Sequence, residues 1–229
     1  MAEHSLPLVD QAFLRLRKDV LTGSFEAGTK LKVEELQSAY GFSSSPLREA
    51  LSRLTQEGLV RADERRGFRV AAISAQDFGD ITRMRLMLDV QALRDAIDDG
   101  DDRWEAGIVA AYYRLEKVES RLSDGPVVLD EEWSSLHRDF HFSLIAACPS
   151  ERQLAWSASL FDQAERYRRY SARYRKTVRR KSIEHKRLMD ATLKRDADTA
   201  CALLEEHIRG TQRNVEAALR TSAGAKDAA

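Results

Sequence analysis

The sequence predicts a mainly α protein in two parts: a winged helix-turn-helix over residues 1–73, then an all-α antiparallel helical bundle over 74–222, with a flexible tail at 223–229. Three observations lead there. Only four prolines in 229 residues, with heavy use of Ala, Leu, Arg and Glu, favour helix throughout. β-prone pieces are confined to Leu59–Ala62 and Phe68–Ala71, on either side of a polar turn in which Gly67 can take a positive φ. Beyond Ser74 the helical pattern is interrupted only by short polar runs, "DDGDD", "SDGPVV", "CPSE" and "KRDAD", so consecutive helices should fold back on one another.

The first helix spans Leu8–Leu21, where Ala12, Phe13, Leu16 and Val20 recur at helical spacing before Gly23 and Gly28 punctuate a loop. A second lies in "VEELQSAYG" and is stopped by Gly41. The third, "SSSPLREALSRLTQEG", has serines for an N-cap, a proline near its first turn and a glycine past its end. In the second part helices are expected over 75–98, 102–122, 130–147, 151–175, 177–194 and 197–219.

Charge restricts the function only locally. Lys plus Arg and Asp plus Glu number 37 each, so overall charge recruits neither nucleic acid nor membrane. No apolar run approaches the roughly 20 residues of a membrane span, and the start "MAEHSLPLVD" lacks a signal core. Cys148 and Cys201 are far apart and outside any C-x-x-C pattern, as in a reduced, cytoplasmic protein.

Cations do gather where a DNA reader needs them. Ser43, Ser44, Ser45 and Arg48 fall in the first turns of the third helix. The hairpin after it carries Arg61, Arg65, Arg66 and Arg69 around Gly67, against Asp63 and Glu64. A recognition helix presents its N-terminal residues to base edges while a wing brings charge to the backbone. Arg48 can donate twice to a guanine, and serines with free helix-start N–H groups suit phosphate. Double-stranded DNA is therefore the expected partner; the competing reading is a protein-interaction module with Arg48 on its surface.

Four of the five histidines lie in the second part. His137 and His141 are one turn apart on one helix face. His185 and His207 are equidistant from residue 196, in the turn "RDAD", so an antiparallel hairpin brings them level. Four imidazoles can thus converge from three helices, as cofactor sites in bundles are built, and neutral imidazole suits a divalent transition metal, zinc or nickel first. The competing reading is hydrogen-bonded core histidines. Catalysis is not expected: there is no Glu-x-x-His, H-E-x-x-H or G-x-S-x-G. A metal-dependent helical enzyme or a metal sensor is the alternative to a regulator. Residues 166–187 hold eleven Lys or Arg and one carboxylate, Glu184, and are read mainly as a solvated face. Phe161, Ala164, Tyr167, Tyr170 and Tyr174 recur at helical spacing within and beside that strip, which turns one face inward and can bring Tyr167 and its neighbour Arg169 to the pocket.

The pattern "SPLREAL", then "EGLV" and "GFRV", resembles the DNA-binding domain of the GntR family of bacterial transcription regulators. That resemblance implies a homodimer meeting near-palindromic operator half-sites through Arg48, the first-turn serines and the wing around Gly67. Ala27, Ser44 and Glu34 depart from the family, which often has Pro, Arg and a basic residue there. The second part resembles the FCD ligand-binding domain of the FadR subfamily. The resemblance implies a metal held by His141, His185 and His207, with His137 standing where the family usually has Asp. It also implies an effector carboxylate held by Arg85, in "RMRLMLDVQA", with Asp89 near it; the competing reading of that pair is a structural salt bridge. "WSSLHRDFHFSLIAACPS" and "LFDQAERYRRY" are most similar to the CsiR type within this subfamily, which also carries His at the Asp position. This type governs the catabolism of glutarate and related C4–C5 acids, so the resemblance implies repression relieved by such a dicarboxylate, glutarate first, bound near His137, Arg85, Tyr167 and Arg169. A 2-hydroxy acid is the main rival.

Overall fold

The computed structural model describes residues 6–63, 67–121, 131–173 and 181–226, with nine helices and three strands among them. The chain divides into two compact units, residues 1–73 and 74–229.

In the first unit, α1 (Leu8–Thr22), α2 (Val33–Tyr40) and α3 (Ser44–Gln56) pack on a small antiparallel sheet. Each helix buries one stripe: Ala12, Leu16 and Val20 from α1, Leu36 from α2, and Leu47, Leu51 and Leu54 from α3. α1 and α2 end at Gly23 and Gly41, both left-handed at φ 79° and 73°. Strands β2 (Val60–Asp63) and β3 (Gly67–Val70) form the expected wing, with Val60 opposite Val70. A third strand, β1 (Lys30–Leu31), was not expected; it pairs Lys30 with Arg69 and Leu31 with Phe68, giving the order β1-β3-β2. Two residues are too few for alternation to show in sequence.

The second unit is helical throughout its described residues: α4 (Ala75–Asp99), α5 (Asp102–Glu119), α6 (Glu131–Ile145), α7 (Glu151–Arg173), α8 (Lys181–Leu193) and α9 (Ala197–Lys226). Ser74 and Asp101 cap α4 and α5, accepting from the Asp77 and Trp104 amides. Helix ends fall within a few residues of expectation except at α9, which runs to Lys226 through residues placed at the start of the tail; helix-favouring Ala and Lys continue it. The expected extensions of α5, α7 and α8 into 122, 174–175 and 177–180, and residues 227–229, lie outside the described residues.

The bundle core is continuous across Leu93, Ile97, Trp104, Ile108, Leu115, Trp133, Phe140, Leu144, Leu188 and Leu204. Arg195, in the α8–α9 turn, adopts a left-handed backbone at φ 57°, which is unfavourable for a residue with a Cβ. Its guanidinium offsets that cost by bonding Ile97 O, Gly100 O and Glu105 Oε1 over the Trp104 ring, fixing the α8–α9 hairpin against the α4–α5 corner. That hairpin sets the register of His185 and His207.

Candidate metal and effector site

α6, α8 and α9 bring four buried histidines together. One ring nitrogen from each of His137, His141, His185 and His207 lies within 4.8 Å of every other. The helical spacing of His137 and His141 puts their Nε2 atoms 3.1 Å apart. The hairpin puts the His185 and His207 rings 5.0 Å apart between centroids. Below the cluster Trp133 stacks on His137 at 4.4 Å and Phe140 closes one side.

The donor set fits a divalent metal. With imidazole–metal bonds of roughly 2.0–2.1 Å, ligands of one ion lie at most about 4.2 Å apart, so small ring rotations close the spread. His185 Nε2 is buried without a hydrogen-bond partner among the described residues, which is costly for a core imidazole and natural for a ligand. Burial, then the charges His207 and His185 would carry, then Arg85 and Arg168, push His141 well below the ordinary imidazole range. It therefore stays neutral at physiological pH, the form that ligates.

Two carboxylates stand behind the rings. Glu184 Oε2 lies 2.9 Å from His207 Nδ1. Glu119 Oε1 lies 3.2 Å from His185 Nδ1, close but not aligned for a hydrogen bond, while it accepts from Trp133 Nε1. Such partners fix the tautomer that turns Nε2 to a metal and raise the basicity of the ligand. They also supply negative charge beside four neutral ligands. Changing Glu119→Gln, which keeps the shape and removes the charge, is expected to weaken zinc binding by about 10–100-fold, read by competition titration against a chelating dye.

A small cavity adjoins the cluster, lined by Arg85, Asp89, His141, Ser157, Phe161 and Leu204 among others. Arg85 Nε donates to Asp89 Oδ2 at 2.8 Å, and both side chains are 7% exposed, so the structural ion pair is present. Its terminal nitrogens make no hydrogen bond among the described residues, and its guanidinium lies 4.9 Å over Phe161. Phe161 touches His137 and His141 on its other contacts.

Tyr167 and Arg169 are placed differently from expectation. Tyr167 is buried, but its hydroxyl donates to Asp77 at 2.6 Å and accepts from the Ser74 amide, and its ring stacks on Phe78. It anchors the start of α4. Arg169 donates to Glu165 and Ser134. Its neighbour Arg168 is the one that packs toward the site, 4.2 Å over Phe161, held by Glu165 and the Phe161 carbonyl. One residue on a helix is about 100° of rotation, and the sequence carried no signal to choose between the two arginines. Arg168, Phe161, Ser157, Glu119 and Glu184 were not singled out as site residues by sequence.

In the first unit, Ser43 is the N-cap position of α3 and is exposed, as are Ser45 and Arg48, while Ser44 is half-buried. Arg48 Nε donates to Ser44 Oγ at 3.2 Å. Arg69 is turned to Asp63 and Gly28 O, and Gly67 is left-handed at φ 94°, paired with Asp63 at the turn end of the wing. Arg66, with Arg65, lies outside the described residues.

A helix-turn-helix with a wing, followed in the chain by a helical domain in which four histidines converge, is the architecture of a DNA-binding transcription regulator. Residues 8–70 match the model of the bacterial regulatory proteins of the gntR family, and residues 80–210 match the FCD domain. The chain belongs to that family: it is a bacterial HTH-type transcriptional regulator of the GntR family with an FCD domain. It is 39% identical over 204 residues to the HTH-type transcriptional regulator BphR of Paraburkholderia xenovorans, covering 89% of this chain and 83% of that one. It is 34% identical over 197 residues to the HTH-type transcriptional repressor GlaR of Escherichia coli, covering 84% and 89%. The E. coli McbR/YncC structure shares the fold, with TM-score 0.76 at 19% identity over 95% of this chain and 99% of that one. These relatives are regulators, not enzymes. Among the described residues no helix is long and apolar enough to cross a membrane.

Proposed function

We propose that this chain is a homodimeric cytoplasmic repressor that leaves its operator when a small carboxylate, glutarate or a related C4–C5 dicarboxylate, binds beside a divalent metal. The observation that carries the reading is the juxtaposition of four buried imidazoles with a cavity containing Arg85. His137, His141, His185 and His207 would hold the metal, with zinc and nickel the ions of choice for such nitrogen donors. Bound there, the metal supplies a Lewis-acidic positive charge for an anion. Arg85 offers two free donors for a carboxylate in fork geometry. Arg168 adds a second buried cation behind Phe161.

DNA is read by Arg48 and the serines at the start of α3, with Gly67 and Arg66 of the wing meeting the backbone. The description of GlaR as a repressor supports repression here. Dimerisation is supported by apolar side chains left exposed on two packed helices, Met84 and Met87 on α4 and Trp156 on α7. Release requires that the acid bind more tightly to the arrangement that does not hold DNA, since an effector indifferent to the two would shift nothing.

The test is selection of a duplex from a random-sequence pool by the metal-loaded protein, followed by titration of the complex with glutarate. Millimolar glutarate is expected to displace the selected duplex; retention at saturating acid would rule this effector class out. In the same assay Arg48→Ala is expected to cost about 1–3 kcal/mol of binding and to relax preference at one base position.

A further inference from the structure

Strand register sets three cations side by side on the sheet of the first unit. Lys30 of β1 stands opposite Arg69 of β3, and Arg69 stands opposite Arg61 of β2. Residues paired in this way point to the same face of a sheet. The other face is the core side, where Leu31, Val60 and Val70 are buried and Phe68 packs against the core. Lys30 and Arg61 are exposed, and the Arg69 side chain is 43% exposed. With neighbouring strands about 4.8 Å apart, the three positions span about 10 Å.

Like charges directly opposite one another on a sheet are destabilising. Three other cations of the unit are matched within the fold: Arg17 with Glu57, Lys32 with Glu35 and Arg53 with Asp10. On the open face of the sheet one carboxylate, Asp63, lies 3.3 Å from Arg69, whose guanidinium also meets Gly28 O. The Lys30 and Arg61 side chains make no hydrogen bond or ion pair among the described residues. A repulsive arrangement left unmatched by the fold calls for a polyanion from outside.

Resting on the proposed reading that α3 docks on a duplex, we infer that the open face of this sheet is a second DNA surface, on which Lys30, Arg69 and Arg61 hold the phosphate backbone beside the bases that α3 reads. β2 starts at Val60, four positions after Gln56 ends α3, so this face follows the recognition helix directly. Along one strand of a duplex a charge recurs about every 3.4 Å of helix axis, so a row of about 10 Å matches about three phosphates. Such contacts add affinity and fix orientation without carrying sequence information. The face presents Lys30, Arg61, Asp63, Gly67 and Arg69 and no aromatic ring, so it offers no platform for stacking the bases of a single strand. Lys30 is the distinctive member: it reaches the row from β1, outside the hairpin of the wing.

The test uses the full-length, metal-loaded protein and the duplex that the wild type selects from a random-sequence pool, with affinity measured between about 50 and 200 mM salt. Changing Lys30→Ala with Arg61→Ala is expected to make the fall of log affinity with log salt shallower by about 1.8, so that the wild type loses about twelvefold more affinity than the variant over that range. The preferred sequence should not move, and the variant should melt no lower than the wild type, since it relieves a face of like charge. Lys30→Arg with Arg61→Lys, which keeps both charges, should keep the wild-type salt dependence. An unchanged salt dependence in the alanine variant would overturn the assignment. So would a changed base preference, which would make these residues base readers, or a shallower dependence in the charge-keeping variant. If the wild type selects no duplex, the reading of α3 itself fails.

Discussion

Changing His185→Ala is expected to leave a folded chain that no longer retains a divalent metal. His185 is fully buried at the centre of the cluster, its Nε2 has no hydrogen-bond partner among the described residues, and its Nδ1 faces Glu119. Removing it takes away both a ligand and the link to a carboxylate, and the remaining imidazoles cannot compensate from their own helices. A metal present at a thousand times its dissociation constant stabilises the fold by about 4 kcal/mol. For a chain of this size that corresponds to roughly 8–16 °C in melting temperature. The wild type should show that rise when zinc or nickel is added after chelator treatment, and His185→Ala should show none. Elemental content after dialysis and differential scanning calorimetry check it; a variant that keeps one metal per chain would exclude His185 from the ligand set.

Arg85→Ala is expected to destabilise the second unit by about 3–5 kcal/mol, because it leaves the Asp89 carboxylate buried with no cation. Both side chains are 7% exposed, so solvent screens the loss little. The double change Arg85→Ala with Asp89→Ala should recover much of that stability, since removing both charges of a buried pair costs far less than removing one. Neither protein should be stabilised by glutarate. Denaturant unfolding of the three proteins, with and without acid, separates the structural role of the pair from its role toward the effector. A single variant that unfolds like the wild type would show that Asp89 finds another partner or takes up a proton.

The helical bundle and the convergence of the histidines were legible for the same reason: both are consequences of helical period and hairpin symmetry. His137 and His141 differ by four, and His185 and His207 straddle residue 196, so sequence spacing alone predicts where their rings meet. The aromatic period also marked Tyr167 as buried. It could not say against what, and the structure places its hydroxyl on Asp77 at the start of α4. Arg168 rather than Arg169 reaches Phe161 because helix rotation at that point is set by packing, which polar residues do not report. Glu119 and Glu184 were invisible as partners of His185 and His207 because the contacts join different helices at separations no periodicity marks. Ser157 was overlooked because a lone serine in an amphipathic helix carries no pattern. Strand β1 escaped because two residues show no alternation, and it exists through pairing with β3.

The histidine cluster and the carboxylate are expected to be thermodynamically coupled. The most direct measurement is the melting temperature of the full-length protein in four states: chelated, chelated with glutarate or 2-hydroxyglutarate, zinc-loaded, and zinc-loaded with the same acid. Zinc should raise the transition, and the acid should raise it further only when zinc is present, so that the two shifts together exceed the sum of each alone. An acid shift of the same size in the chelated protein, or no response to either, would contradict a shared site.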